Sequence, residues 1–212
     1  MPEAWSWPGA PWEAEGRVVG LLRHGRTAWN AERRFLGRTD VPLDDVGRAE
    51  AAALGAALSR RFDEVWCSPL ARAASTAAAF HPQPVVINDL AELDVGELEG
   101  LQRPEAIARF PAFFEAWVRD TTSVVTPGGE SIPQLHARAR AALDIIACAR
   151  PSGRFAVVSH QIVIGTICAE AAGEPLSAWG RFSVGNTEGA VLAWTDGRWR
   201  LVAHPWRPVQ DL

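Results

Sequence analysis

The stretch that decides the fold is VVGLLRHGRTAWN, residues 18–30. A run of mostly apolar residues leads straight into an Arg-His pair and then a glycine. The run reads as a buried strand over 17–22, so Arg23 and His24 stand just past its C-terminal end. A second junction has the same form. RFAVVSH, residues 154–160, is an uninterrupted apolar strand that delivers His160, and a helical pattern, IVIGTICAEAA, follows it. In a third, VWCSPLARA, Arg72 falls in the first helical turn after another strand. In open α/β sheets ligands bind at the carboxyl ends of the strands. Arg23, His24, Arg72 and His160 are therefore expected to converge on one strongly positive pocket. A phosphoryl group is the guest whose oxygens guanidinium forks match.

The rest of the chain alternates in the same way. Residues 44–61 read as an amphipathic helix with Asp44 or Asp45 as its N-cap. FDEVWCSP holds a second strand, LARAASTAAAF a second helix, and a third strand is expected between Pro84 and Asn88. Residues 103–120 look helical, with Pro104 near the first turn and Pro111 interrupting. ESIPQLHARARAALDIIACAR is the longest helix candidate, with Ser131 as its cap. The tail GAVLAWTDGRWRLVAH reads as two β-runs joined at Asp196-Gly197, a hairpin signal. Strands alternating with helices predict an α/β fold: a three-layer α/β/α sandwich around a mainly parallel sheet.

Composition narrows the class. The 212 residues suffice for one full-sized α/β domain, and a net charge of −4 argues against nucleic acid as a partner. All 21 basic residues are arginine, so lysine-dependent chemistry is excluded. Cys67, Cys148 and Cys168 lack C-x-x-C spacing and read as buried free thiols of a reducing compartment. Residues 1–16 form a Trp/Pro-rich extension without the marks of a secretory signal. Its Trp5, Trp7 and Trp12 are expected to dock on the body or on a neighbouring subunit, which leaves a homodimer open. With no apolar run long enough for a bilayer, the expectation is a cytoplasmic protein with no membrane partner.

Beside the positive pocket, LAELDVGELEG, residues 90–100, brings a cluster of carboxylates that a pure anion binder should not want. A protonated carboxyl beside a bound phosphate can donate to a leaving group. RHGRTAWN, GRTDVPLDDVGRAEA, SPLARAASTA, ELDVGELEG, PGGES and VVSHQ stand in the order and spacing of the histidine phosphatase superfamily, and the chain resembles that family from about Val18 to the final hairpin. The resemblance implies a phosphoglycerate mutase-like fold over residues 17–212, with a capping insert at about 101–128. It implies His24 as the nucleophile that becomes phosphohistidine. Arg23, Arg72 and His160 match the residues that hold the phosphoryl oxygens, Asn30 matches a further polar contact, and Glu92 matches the general acid. No metal or other cofactor is implied. Thr27, one turn before Asn30, is either a phosphate contact or an ordinary loop hydroxyl.

Two positions depart from the family pattern. Arg26 stands where many relatives carry Glu or Gln, and either extends the positive field or faces solvent. Gln161 replaces the glycine that often follows the second histidine; it keeps a backbone N–H, disfavours positive φ and sets an amide at the pocket edge. His81, His136 and His204 have no matching partners and read as a loop, a helix-surface and a hairpin-end residue. Within the insert, the helical spacing of Phe110, Phe113, Phe114 and Trp117 reads as core packing.

Three functions fit these residues. The first is a phosphomonoesterase acting on a small phosphorylated metabolite. The second is a cofactor-dependent phosphoglycerate mutase, and the third a non-catalytic phosphate binder. The mutases carry a longer, basic insert and a Glu-Arg-His-Tyr pattern where this chain has ELDV, so hydrolysis is favoured over mutation. Presence of both nucleophile and acid favours catalysis over mere binding.

Overall fold

The computed structural model describes residues 16–149 and 152–208; the expectations for Trp5, Trp7 and Trp12 lie outside them. Six strands build one sheet: β1 (Arg17–Arg23), β2 (Glu64–Cys67), β3 (Val85–Val86), β4 (Gly153–Ser159), β5 (Gly189–Thr195) and β6 (Arg198–Trp206), in the order β3-β2-β4-β1-β5-β6. The pairs β1–β4, β2–β4 and β2–β3 are parallel, while β5 and β6 add an antiparallel pair beside β1. The described helices are α1 (Ala28–Ala31), α2 (Asp45–Leu58), α3 (Ala71–Ala78), α4 (Arg103–Arg109), α5 (Pro111–Arg119), α6 (Ile132–Ala149) and α7 (Gln161–Ala171).

The period of two along each strand divides the core into two layers. Val19, Leu21, Phe155 and Val157 point to one face, where Leu135 and Ile146 of α6 and Val163 and Ile167 of α7 cover them. Val18, Leu22, Ala156 and Val158 point to the other, against Leu54 and Leu58 of α2 and Ala73 and Ala77 of α3. The architecture is the expected α/β/α sandwich.

Local chemistry sets the boundaries. Asp44 caps α2 by accepting the Gly47 N–H. That helix stops at Leu58 rather than Arg61, because the chain leaves it at Ser59 and Arg60 takes φ 61°. The break between α4 and α5 falls at Phe110, the residue that Pro111 bars from helical geometry. The third expected strand is only two residues long, since a 3₁₀ turn begins at Asn88. Asp196 and Gly197, both at positive φ, turn β5 into β6 as their sequence signal requires. Cys67 and Cys168 are buried free thiols, but Cys148 is exposed, one position past the buried Ala147 on α6.

Between β1 and α2 two glycines let two backbones touch. A Cβ on Gly47 would lie 1.9 Å from the Arg26 carbonyl oxygen, and one on Gly25 would lie 2.6 Å from the Gly47 carbonyl oxygen. This contact seats the Arg23–Arg26 turn against the start of α2. Gly47→Ala should cost about 3 kcal/mol or more, because only backbone is there to move. Gly180→Ala, with nothing within 4 Å of its Cβ, should stay within about 0.5 kcal/mol of wild type. Denaturant unfolding of the two variants makes the comparison.

Candidate active site

The register of the parallel strands assembles the site. Arg23 of β1 pairs with Ser159 of β4, so the residues that follow, His24 and His160, emerge side by side. Their ring centroids are 5.1 Å apart. Cys67 of β2 pairs with Val158, which sets Ser68 beside the same end, and α3 then starts and carries Arg72 in its first turn. His24, Arg72, His160 and Glu92 are all buried.

His24 Nδ1 lies 2.7 Å from the Gly25 carbonyl oxygen. A carbonyl only accepts, so Nδ1 carries the proton and Nε2 keeps its lone pair. Burial, reinforced by Arg72 and Arg23, holds the His24 pKa well below the ordinary imidazole value. His160 is lowered in the same way, by burial and then by Arg72 and His24. Its Nε2 is 2.7 Å from Ser68 Oγ, which also accepts the Leu70 N–H. That arrangement favours the hydroxyl proton pointing at Nε2 and leaves Nδ1 as the N–H donor.

The two arginines are tied to backbone carbonyls. Arg72 donates through Nη1 to Thr39 and through Nη2 to Gly37, and Arg23 donates through Nη1 to Val184. Burial pushes Arg72 down to about 10, so it stays cationic at neutral pH. The Nε atoms of Arg23 and Arg72 and Nδ1 of His160 are buried with no hydrogen-bond partner among the described residues. Buried N–H donors left open on two cations and an imidazole suit a multiply charged oxyanion.

Glu92 faces the same 220 Å³ chamber as Arg23, His24, Asn30 and Gln161. Its Oε1 accepts the Leu93 N–H and its Oε2 accepts the Ile162 N–H of α7. Burial nevertheless pushes its pKa up, against the pull of those N–H groups and of Arg72 and Arg23. Glu97 is half exposed and 3.8 Å from Arg109, and Glu99 is engaged elsewhere.

Asn30 accepts at Oδ1 from the Thr27 N–H and hydroxyl. Its carboxamide nitrogen is therefore the end left to offer the chamber. The Thr27 hydroxyl, fully buried, serves the capping box of α1. Arg26 turns away from the chamber to pair with Asp44 at 2.9 Å. Gln161 opens α7 without the left-handed backbone that a glycine would permit, and its side chain lines the chamber. His136 is more enclosed than a helix-surface residue: its Nε2 is 3.2 Å from a Glu170 oxygen. His204 meets Phe182 edge to face, with ring centroids 5.4 Å apart, and has no part in the site. Phe113, Phe114 and Trp117 pack against the core, as their spacing implies.

Several supporting residues have roles that the sequence alone does not assign. Asn186, just before β5, donates to the His24 carbonyl at 2.9 Å. Thr76 accepts the Gly25 N–H and donates to the Arg72 carbonyl, linking the two strand ends. Arg138 of α6 donates to the carbonyls of Asp89, Ala91 and Glu92 while Glu130 grips its guanidinium, which fixes the backbone that carries the acid. The carboxylate of Glu99 collects the N–H groups of Gly37, Arg38 and Thr39, and so shapes the loop whose carbonyls hold Arg72. Thr76, Glu99 and Glu130 stand inside the SPLARAASTA, ELDVGELEG and PGGES motifs, but the motifs alone do not show what each side chain holds.

Residues 19–207 match the family model of the histidine phosphatase superfamily (branch 1). The metal-independent phosphoserine phosphatase of Arabidopsis thaliana is 33% identical over 205 residues, 91% of this chain and 84% of that protein. Phosphoglycerate mutase-like protein 4 of the same plant is 35% identical over 157 residues, 70% of this chain and 68% of that protein. Among solved structures, Bacillus stearothermophilus YhfR superposes with a TM-score of 0.83 at 25% identity, covering 91% of this chain and 99% of that one.

Two outcomes follow from the geometry. Glu99→Ala should weaken binding of inorganic phosphate by about tenfold to a hundredfold through the loosened Arg72 cradle, read by calorimetry. His24 is kept neutral in the folded state but takes up a proton near its usual pKa when unfolded. Its contribution is therefore complete above about pH 6.5 and is lost as the pH falls below it. His24→Ala should remove up to about 1.4 kcal/mol per pH unit from the acid-side slope of stability, measured by denaturant unfolding across that range.

Proposed function

The chain belongs to the histidine phosphatase superfamily, and we propose that it is a metal-independent phosphomonoesterase that hydrolyses a small phosphorylated metabolite through a phosphohistidine on His24. The observation that carries this reading is the 2.7 Å contact of His24 Nδ1 with the Gly25 carbonyl. It presents Nε2 as a ready nucleophile in the chamber that Glu92 also lines.

In the first step Nε2 of His24 attacks phosphorus and the bond to the ester oxygen breaks. The carboxyl proton of Glu92 passes to that oxygen, and the alcohol departs. Nε of Arg23, Nε of Arg72 and Nδ1 of His160 donate to the equatorial oxygens, where charge accumulates in the transition state. Asn30 adds a further donor, and Gln161 borders the same oxygens; the Thr27 hydroxyl acts by holding Asn30. In the second step the carboxylate of Glu92 takes a proton from water, the water oxygen attacks phosphorus, and the N–P bond breaks. Inorganic phosphate leaves, and neutral His24 and protonated Glu92 are restored. The two guanidinium groups, with the neutral N–H of His160 as a further donor, supply the positive field that a metal supplies in other phosphatases.

Rapid quenching with p-nitrophenyl phosphate should trap acid-labile phosphate on the protein, absent from His24→Ala, with turnover unaffected by EDTA. Glu92→Gln should slow hydrolysis of an alkyl phosphate by about 10²- to 10⁴-fold and of p-nitrophenyl phosphate far less, because the better leaving group needs no proton. Absence of both turnover and phosphoenzyme would overturn the reading.

A further inference from the structure

Outside the 220 Å³ chamber lies a wider hollow of 720 Å³, and Arg23, Asn30, Arg34 and Phe35 wall both. The two spaces therefore adjoin, with these residues between them. The outer wall adds Glu32, Arg33, Gln102, Arg103, Pro104 and Asn186 to these shared residues. Its charges are unevenly answered. Arg34 pairs with Glu32 and also donates to the Gly100 carbonyl. Arg33 and Arg103 are exposed and have no carboxylate partner among the described residues. A chain with a net charge of −4 thus keeps two uncompensated guanidinium groups at the mouth of its phosphate chamber.

The mounting of Arg33 adds to the case. It sits at φ 56°, in the left-handed region where asparagine or glycine is the less strained choice. Its N–H donates to the Asn30 carbonyl at 3.1 Å, so the residue that lines the chamber also fixes where the arginine leaves the chain. Strained backbone of this kind collects at ligand clamps. Arg103 opens α4 where it lines the same hollow, its position set by the turn that includes Pro104. A hollow of 720 Å³ falls within the range of about 300–1,000 Å³ that accommodates ligands well beyond a three-carbon acid.

We propose that Arg33 and Arg103 form an outer anion subsite, selecting phosphomonoesters whose alcohol fills the outer hollow and carries a second anionic group there, a carboxylate or another phosphate. This rests on the inner chamber being the phosphoryl site. The subsite works through charge at a partly exposed position, so its contribution is moderate and weakens with salt.

The test uses n-alkyl monophosphates from propyl to octyl that end in a hydroxyl, a carboxylate or a second phosphate, together with the matching phosphonates that cannot be hydrolysed. Among the longer esters, kcat/KM should favour either anionic end over the hydroxyl by about tenfold at low salt, and the two anionic arms rank carboxylate against phosphate. The preference should vanish for propyl, whose end cannot leave the inner chamber. Arg33→Asn with Arg103→Gln should bring the ratio close to one, while Arg33→Lys should retain most of it. Equal kcat/KM for charged and hydroxyl-ended octyl esters, or a ratio untouched in the double variant, would overturn the proposal. Calorimetry with the phosphonates separates the two readings. A binding preference without hydrolysis of any ester keeps the subsite and removes the phosphatase assignment. Hydrolysis without preference does the reverse.

Discussion

The structure is organised around two guanidinium groups removed from water without a carboxylate partner in contact. Arg72 is fully buried and Arg23 partly so, and backbone carbonyls of Gly37, Thr39 and Val184 occupy their Nη atoms. A carbonyl satisfies a donor but does not cancel its charge, so the field remains available to a ligand. A carboxylate in the same place would have made a more comfortable core and a poorer site. The nearby acids act at longer range, Glu92 most strongly on both arginines.

Holding such charges in place demands a firm surround, and much of the hydrogen bonding near the strand ends provides it. Glu99 shapes residues 37–39 from below. Asp40 accepts the Ala71 N–H at 2.7 Å and anchors the start of α3 just ahead of Arg72. Thr76 ties Arg72 to Gly25. On the far side Arg138 does for the acid loop what Glu99 does for the arginine loop. The polarity is inverted: a cation gathers carbonyls there, an anion gathers N–H groups here. Each carries out on backbone what a direct ion pair would have done to the reacting groups themselves.

The groups at the strand ends were legible because a buried parallel strand announces itself as a short apolar run, and a polar residue directly after such a run has little choice but the ligand edge. That logic located Arg23, His24 and His160, and one helical turn more located Arg72. Glu92 was legible through its motif. Roles that depend on partners distant in sequence leave no such mark. Asn186 reaches the site only because β5 runs antiparallel to β1 and so begins at the edge where β1 ends. Ser68 and Glu99 are ordinary loop polars until the opposing segment is in view. Thr27 shows the converse: its hydroxyl stood at the right address, but the N-terminus of α1 claims it. Cys148 escaped burial because helical periodicity changes face within a single residue.

The two hollows stand in series, a tight chamber behind a broad vestibule, and that geometry dictates traffic. On the proposed reaction the alcohol would occupy the outer space and would have to depart before water could reach the phosphorylated imidazole from the side of the acid. Phosphate, formed last and deepest, would be held by the same donors and would leave along the path the next ester must enter. An enzyme with this plan would release its products in a fixed sequence and be restrained by the phosphate it generates, so its output would be coupled to how quickly its surroundings remove that ion.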